Sequence, residues 1–452
     1  MVSQSFPDGF VWGAATSSFQ IEGACQADGR GESIWDRFAN QPGRIKDGSH
    51  GEPACDHYHR FREDIALMKE LGLGAYRFSI AWPRILPSGR KQVNPKGLDF
   101  YESLVDGLLE AGIAPHVTLY HWDLPQALED GGGWPQRSTA EAFVELAEAV
   151  SQRLGDRVQH WMTHNEPWCT TVLGYQTGDH APGRKNFQQA LAAIHHVHLS
   201  HGWAVEVLRR NSPGARIGTT HILSPVVPAS ASEADQRAAR ERDGTFNRWF
   251  LDPIFKGAYP QDVIALFHRG KRIPKPELWF VKRGDLEAIR APLDFLGINY
   301  YSRHIVRSHE IPEAANEKRQ IEPLPDKTDI GWEIYPQGLT EGLVALQREY
   351  ALPCIYITEN GAAFNMGPDA EGRIVDTPRI EFLSGHLEAL HAAIQRGVPV
   401  KGYFVWSLMD NFEWTHGYTQ RFGIVWVDFK TQRRILKDSA KFYQQVIRQN
   451  GC

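Results

Sequence analysis

Cysteine is scarce in this sequence, and long apolar runs are missing from it. The 452 residues include five cysteines, which are widely spaced, and no Cys-x-x-Cys pair occurs among them. This usage indicates neither a disulfide framework nor a zinc site, and it favours a reducing, cytoplasmic compartment. No apolar run approaches the ~18 residues that a membrane span requires. We therefore expect a cytoplasmic protein that does not enter a membrane.

An excess of basic residues is also lacking. Lys and Arg together number 49, against 54 Asp and Glu, which gives a formal charge of −5. Electrostatic binding to nucleic acid needs a basic face, so nucleic acid is not an expected partner. Residues 1–20 contain no Lys or Arg ahead of an apolar segment, and they predict no signal peptide. The 42% of hydrophobic and 23% of charged residues are typical of a soluble globular protein with a large core.

Runs of apolar, β-branched and aromatic residues alternate with longer amphipathic segments along the chain. In one predicted helix, over residues 140–154, Phe143, Leu146 and Val150 recur at spacings of three and four. Strands that alternate with helices favour a parallel sheet over a sandwich. The predicted strands cover residues 10–20, 75–80, 114–120, 160–164, 215–221, 295–300, 354–358 and 400–406.

Eight strands without a domain boundary fit a single-domain (β/α)8 TIM barrel over residues 1–452 better than a doubly wound sheet. No glycine-rich dinucleotide turn follows the first strand, where a Rossmann fold would need one. The strands are generously spaced, which predicts βα-loop insertions at residues 229–242 and 302–336. Active sites of such barrels form where the strands end, so polar residues at the strand ends are the candidate functional residues.

Two glutamates stand at predicted strand ends: Glu166 after the fourth strand and Glu359 after the seventh. The two strands lie on opposite sides of a ring of eight, so both side chains are expected to face one cavity. One acid alone could merely cap the following helix. Two facing carboxyl groups among aromatic and amide side chains suit glycoside hydrolysis. A retaining enzyme holds them about 5–5.5 Å apart, a distance that the sequence does not fix.

Four motifs follow one another at barrel spacing: FVWGAATSSFQIE at residues 10–22, THNEP at 163–167, ITENG at 357–361 and WSLMDNFEW at 406–414. Together they resemble glycoside hydrolase family 1, the β-glucosidase family, over nearly the whole chain. The resemblance implies a retaining β-glucosidase that needs no metal or other cofactor. It also implies release of terminal β-D-glucosyl residues from cello-oligosaccharides and aryl or alkyl β-glucosides through a covalent glycosyl-enzyme. β-Galactosidase or β-fucosidase side activity would be in keeping with this family.

The resemblance implies roles for individual residues. Glu359 is the implied nucleophile and Glu166 the implied acid/base, while Asn165 would hold the 2-hydroxyl of the sugar. Arg77 and Tyr301 would contact Glu359. The remaining implied positions are Asn299 beside that contact, Gln20, His121, Trp406, Glu413 and Trp414 around the terminal sugar, and Phe422 in the pocket wall. By their position in loops, Trp122, Trp168 and Trp332 either line the aglycone entrance or pack in the core.

Physical chemistry predicts that the two glutamates differ in pKa. Arg77 beside Glu359 is expected to lower its pKa and keep it ionised for attack. A charged Glu359 would then raise the pKa of Glu166, which could stay protonated until the sugar esterifies Glu359.

The Glu413-Trp414 pair bears on the substrate. Family members that act on 6-phosphorylated sugars resemble one another in replacing this pair with a small hydroxyl residue and in adding a lysine. A carboxylate at position 413 would repel a phosphate group, so unphosphorylated sugars are expected. Thioglucoside-cleaving relatives resemble this chain but lack the acid glutamate; since Glu166 is present, O-glycosides are expected.

Two other features invite a chemical interpretation. His195, His198 and His201 recur every three residues on a predicted helix over residues 190–207, but spacing alone does not make a metal site, and we interpret them as packing residues. Cys169 follows Glu166 by three residues. No pattern of His and Asn around it favours a thiolate, so we expect a buried thiol there.

Two other functions stay open at this point. A sugar-binding barrel without catalysis is one, although a binder gains nothing from two carboxylates that repel each other. A metal-dependent barrel hydrolase or isomerase is the other, and it would lose activity in EDTA. The sequence predicts a small glycoside as partner and leaves open whether the chain is a monomer or a homo-oligomer.

Overall fold

Residues 5–311 and 326–452 are described by the structure, a computed structural model. Within them eight parallel strands close into a barrel, so the predicted (β/α)8 fold is confirmed. The strands are β1 (Val11–Ala15), β2 (Ala75–Ser79), β3 (Ala114–Tyr120), β4 (His160–Asn165), β5 (Arg216–Ile222), β6 (Phe295–Asn299), β7 (Ile355–Asn360) and β8 (Val400–Trp406). Each strand pairs with its neighbours in the chain, and β8 pairs with β1 to close the ring.

Helices surround the barrel and fill its connections. The long helices are His57–Leu71, Pro95–Glu110, Arg137–Leu154, Phe187–Asn211, Pro336–Tyr350, Thr377–Gln395 and Asp438–Gln449. Shorter α-helices are Ser18–Ile21, Ile34–Ala39, Trp82–Ile85, Gln126–Asp130, Glu233–Asp243, Trp249–Phe255, Gln261–Arg269 and Asp285–Ile289. Cys169–Thr177 and Gly244–Arg248 are π-helical, and Ala27–Gly29 and Trp414–His416 are 3₁₀ turns. No helix in the described part of the chain is long and apolar enough to cross a membrane.

The helix Arg137–Leu154 shows why the outer layer forms. Its Phe143, Leu146 and Val150 side chains are fully buried, as their spacing predicts. Burial of such a side chain contributes roughly 1.5–3 kcal/mol relative to exposure. The helix begins three residues before the predicted start at residue 140, because the first turn is polar and carries no apolar signal.

Side chains fill the amino-terminal half of the barrel. The rings of His116 and His160 stack there with centroids 4.1 Å apart, and Phe404 packs against His116. Arg77 lies one layer above, where its Nε donates to Thr118 Oγ1 at 3.2 Å. The barrel is therefore plugged from below, which leaves its carboxyl end for a site.

One local expectation, the extent of strand β1, differs from the structure, and the two predicted insertions gain detail from it. Strand β1 ends at Ala15 instead of residue 20, because Ser18–Ile21 turns into a short helix that carries Gln20. The insertion at residues 229–242 holds the helix Glu233–Asp243 and follows a three-residue strand, Val226–Pro228, which pairs with His304–Val306 outside the barrel. Of the other insertion, at residues 302–336, positions 312–325 lie outside the described residues.

Candidate active site

A cavity of about 210 Å³ lies at the carboxyl ends of the strands and contains both glutamates that the sequence singles out. Its walls are His121, Trp122, Glu166, Trp168, Cys169, Leu173, His180, Ile222, Tyr301, Ile330, Trp332, Glu359, Trp406, Glu413, Trp414, Thr415, His416 and Phe422. A larger surface cleft of about 780 Å³, between Ala24 and Glu52, is lined by neither Glu166 nor Glu359. Facing carboxyl groups therefore single out the smaller cavity as the candidate active site.

Strand β7 carries Glu359 at its carboxyl end, with the side chain almost completely buried. Arg77 on β2 donates from Nη1 to Oε1 of Glu359 at 2.6 Å, and the Tyr301 hydroxyl donates to Oε2 at 2.7 Å. Gly361 follows on this strand, and a Cβ at that position would collide with the carbonyl oxygen of Trp406. Glycine thus lets the chain directly after β7 pack against the end of β8.

Glu166 follows directly on β4, and its backbone adopts a left-handed conformation with φ of 47°. Two other cavity residues, Trp122 and Trp414, also have positive φ angles, of 80° and 47°. Such angles are costly for residues with side chains and concentrate at functional sites. In the side chain of Glu166, Oε1 accepts from Asn299 Nδ2 at 2.7 Å and Oε2 accepts from the Cys169 thiol at 2.9 Å.

Asn165 links the two halves of the site. Its Oδ1 accepts from Arg77 Nη2 at 2.6 Å and from Asn299 Nδ2 at 3.0 Å, while its Nδ2 lies 3.0 Å from His121 Nε2. The indole of Trp122 donates to the Asn165 carbonyl at 2.9 Å. Because Nδ2 of Asn165 can only donate, Nε2 of His121 is the acceptor, and a neutral ring then carries its proton on Nδ1. Burial supports this form by lowering the pKa of His121 well below its usual range.

Burial is the main influence on the charges of the glutamate pair. It raises the pKa of Glu166 to about 7, and the nearby charge of Glu359 adds to the rise. The pKa of Glu359 is also raised by burial, and Arg77 and Tyr301 oppose that rise. Arg77 lowers the pKa of Glu359, as expected, but desolvation outweighs the guanidinium, so the net shift of this pKa is upward. The cation contacts Glu359 directly, so Glu359 is the first of the pair to ionise.

Glu413 forms a third carboxyl group in the cavity. It is 9% exposed, and within the described residues its Oε2 has no hydrogen-bond partner. Burial raises the pKa of Glu413 to about 8, and the charges of Glu359 and Glu166 add to the rise. Buried acceptors in proteins are usually hydrogen-bonded, so a ligand could supply the donor that Oε2 of Glu413 lacks.

The predicted aromatic residues line the same cavity as this carboxyl group. The ring of Trp414 lies 5.9 Å from His121 and nearly parallel to it, and Trp406 stacks on His121 at the same centroid distance. Phe422 packs against Tyr301 and Trp332, at 6.2 and 5.9 Å, and those two rings contact each other at 5.2 Å. These rings supply much of the apolar surface of the cavity wall.

Gln20, Asn165, Asn299 and Arg77 stand behind the cavity wall instead of lining it. Gln20 is fully buried, and its Nε2 donates to Asn411 Oδ1 at 3.0 Å and to the Phe412 carbonyl at 2.9 Å. Gln20 thus supports the segment that presents Glu413.

Sequence reasoning missed several wall residues. They are Leu173, His180, Ile222, Ile330, Thr415 and His416, and the wall also includes Cys169, which was predicted only as a buried thiol. Ile222 ends strand β5 and could have been found by the strand-end rule, whereas the others lie in connections without a periodic signal. Trp122, Trp168 and Trp332 all reach the cavity, and Trp332 is the most open of them at 38% exposure.

Two of the three spaced histidines on the helix Phe187–Asn211 bond to protein groups. His195 Nε2 lies 2.9 Å from Asp285 Oδ2, and His201 Nδ1 lies 2.7 Å from Thr163 Oγ1. In residues 5–311 and 326–452, no three His, Cys, Asp or Glu side chains are arranged to hold a metal ion.

Two buried carboxyl groups across a (β/α)8 barrel, one of them paired with arginine, in a tryptophan-walled cavity define the glycoside hydrolase class. The family model for glycosyl hydrolase family 1 matches residues 2–452, and the chain belongs to that family. Beta-glucosidase A of Acetivibrio thermocellus is 48% identical to it, over 99% of each chain. A bifunctional beta-D-glucosidase/beta-D-fucosidase of Bifidobacterium breve is 42% identical, over 98% of each. The solved beta-glucosidase of Thermotoga maritima in complex with glucoimidazole superposes with a TM-score of 0.92 at 45% identity, covering 99% of this chain and 100% of the other.

Proposed function

We propose that this protein is a retaining β-glucosidase that removes terminal, non-reducing β-D-glucosyl residues from cello-oligosaccharides and from aryl or alkyl β-glucosides. The observation that carries the proposal is the unequal environment of the two carboxyl groups. Glu359 bonds to a buried guanidinium, while Glu166 is held by the neutral donors Asn299 and Cys169. This inequality suits one nucleophile and one acid.

In the first step, ionised Glu359 attacks the anomeric carbon of the glucoside. Arg77 and Tyr301 hold both of its oxygens and aim the carboxylate. Protonated Glu166 donates its proton to the glycosidic oxygen, so the aglycone leaves as a neutral alcohol and a glucosyl ester of Glu359 remains.

In the second step, water replaces the aglycone. Esterification removes the charge of Glu359, which is one of the two causes of the raised pKa of Glu166. Glu166 therefore ionises and takes a proton from the attacking water, while the bond between the sugar and Glu359 breaks. Two inversions at the anomeric carbon return the β configuration.

Recognition of the glucosyl unit rests on the rest of the cavity. His121 Nδ1 has no protein partner within the described residues and, as an N–H, would donate to a sugar hydroxyl. Glu413 Oε2, equally unpartnered there, would accept from the 4- or 6-hydroxyl. Trp406 and Trp414 offer flat faces to the C–H surfaces of the ring. A phosphate on the sugar would meet the carboxyl group of Glu413, so the proposed glycone is unphosphorylated.

We also propose β-fucosidase and β-galactosidase side activities. The Bifidobacterium breve relative is named for a glucosidase and a fucosidase activity together. A β-D-fucoside lacks the 6-hydroxyl, which leaves most of the proposed contacts intact.

Proton NMR of the anomeric signals during hydrolysis of an aryl β-glucoside tests the proposal. Early β-glucose, with α-glucose growing only by mutarotation, is the expected result. Early α-glucose would mean inversion and would overturn the role of Glu359 as nucleophile. Absence of turnover on glucoside, galactoside and fucoside alike would overturn the enzymatic function.

A further inference from the structure

The two oxygens of Glu166 have different partners. Oε1 accepts from Asn299 Nδ2, and Oε2 faces the thiol of Cys169 at 2.9 Å. The amide orientation of Asn299 follows from its neighbours: Arg77 is a pure donor, so the atom of Asn165 that it contacts must be oxygen, and the atom of Asn299 that meets this oxygen must be nitrogen. Asn299 therefore only donates to Oε1, and the proton of the acid form resides on Oε2.

Cys169 is well placed to act on that oxygen. It is 6% exposed, begins the π-helix Cys169–Thr177 and lines the same cavity as Glu166. A thiol is a weak donor and a weak acceptor, so it can serve Oε2 in both protonation states. Burial and the nearby charge of Glu166 raise the pKa of Cys169 well above its usual value, which keeps the thiol protonated at working pH.

We propose that Cys169 is a positioning residue for Glu166: its thiol holds Oε2, the oxygen that carries the transferred proton, and stabilises the ionised carboxylate that acts as base. This inference rests on the proposed function. It extends that function by identifying the proton-carrying oxygen and the group that adjusts its proton affinity.

The thiol acts among several other groups that influence Glu166. Its titratable and charged neighbours across the cavity are Glu359, Arg77, Tyr301 and Glu413. The same walls include His121, His180 and His416, and burial lowers the pKa of each ring. A substitution at Cys169 leaves all of these in place. A change in the titration of Glu166 would therefore report the loss of the thiol itself.

The test compares pH profiles of kcat/KM for Cys169→Ala, which removes the donor, and Cys169→Ser, which keeps one. The alkaline limb reports deprotonation of the acid in the free enzyme. Loss of a donor to a carboxylate raises its pKa, so the limb of Cys169→Ala should move up by roughly 0.5–1 pH unit. Cys169→Ser should stay within about 0.2 unit of the parent. Cys354→Ala is the matched control, because Cys354 is also buried but precedes β7 at the far end of the barrel.

An alkaline limb that stays in place in Cys169→Ala, or that moves equally in the alanine and serine variants, would overturn the inference. If Cys169→Ala does not fold, Cys169→Val fills the same space without a donor and should show the same shift. Glu166→Ala separates the two proposals. If that variant keeps the alkaline limb on an activated substrate, the acid/base assignment fails. If the limb vanishes there but does not respond to Cys169→Ala, only the role of Cys169 fails.

Discussion

Arg77 Nη1 and Glu359 Oε1 lie 2.6 Å apart inside the barrel, joined across the lumen from β2 to β7. Both side chains are nearly inaccessible to solvent, at 1% and 4%. Breaking a buried pair by removing one partner typically costs about 3–5 kcal/mol, because the other charge is left uncompensated.

Replacing Arg77 should therefore change both stability and pH dependence. In Arg77→Met the pKa of Glu359 rises, because the cation that opposes the effect of burial is gone, and the acid limb of kcat/KM moves to higher pH. The control is Arg84→Met, which breaks the buried pair with Glu22 away from the cavity walls. It should lower the unfolding temperature without moving the acid limb. An acid limb that lies at the same pH in both variants would contradict the role of Arg77.

The nucleophile assignment predicts chemical rescue. Glu359→Gly should fold but lose turnover by several orders of magnitude, because no covalent intermediate can form. Azide can then enter the vacated space and attack an activated glucoside, and the product should be the α-glucosyl azide. The product configuration is read by NMR. A folded variant that azide does not rescue would count against Glu359.

The acid assignment predicts a dependence on the leaving group. Glu166→Ala should slow hydrolysis of glucosides with poor, alkoxide-like leaving groups by about 10²–10⁴-fold, the usual contribution of general acid catalysis. Glucosylation by 2,4-dinitrophenyl glucoside, which needs little protonation, should be far less affected. Steady-state kinetics over a series of aryl glucosides measures how the rate depends on the pKa of the leaving group. Equal losses of rate along the series would exclude an acid role.

The raised pKa of Glu166 predicts that this residue lowers the free energy of unfolding at alkaline pH. Because its folded-state pKa of about 7 exceeds the ordinary carboxyl value, the folded protein binds the proton more tightly than the unfolded chain. The contribution of Glu166 to stability is then full in acid and is lost as the pH rises through about 7. Glu166→Gln, which cannot ionise, should unfold about 2 °C above the parent at pH 8 and close to it at pH 4. Calorimetry at the two pH values would show the difference; the reverse order would contradict the raised pKa.

Glu413 predicts how the enzyme chooses among sugars. Glu413→Gln should lower kcat/KM for a β-glucoside more than for the matching β-fucoside. The fucoside has no 6-hydroxyl, so the substitution removes no hydrogen bond to that group. A ratio change of roughly 10-fold corresponds to one such contact. Competition kinetics with the two aryl glycosides gives the ratio. An unchanged ratio would place the 6-hydroxyl elsewhere.

Much of the barrel could be predicted from the sequence because strand burial leaves a local signal. Strand Ala114–Tyr120 was predicted to the residue, since it carries an apolar, β-branched and aromatic run between Gly112 and Asp123. Strand β1 was overextended, because the helix Ser18–Ile21 that follows it is equally buried and continues the apolar pattern. The outer strand Val226–Pro228 has three residues, too few for any periodicity to appear.

The site was partly predictable for a related reason. Glu166 and Glu359 end strands, so the barrel topology brings them together whatever the loops do. The contact between Cys169 and Glu166 depends instead on the left-handed backbone at Glu166 and on a π-helix, and neither has a sequence signal. The sequence predicts that Arg77 lowers the pKa of Glu359, but it does not predict the larger and opposite effect of desolvation, which depends on how the residue is packed.

The hydrogen-bonded network beside the cavity joins Arg77, Asn165, Asn299 and Glu359, which lie on strands β2, β4, β6 and β7. During synthesis Arg77 therefore leaves the ribosome long before Glu359, which follows it by 282 residues. Neither half of the barrel on its own would contain all four of these residues. Hydrolysis of a chromogenic glucoside during translation would then report when the barrel closes, because product would appear only after the last strands have paired in register.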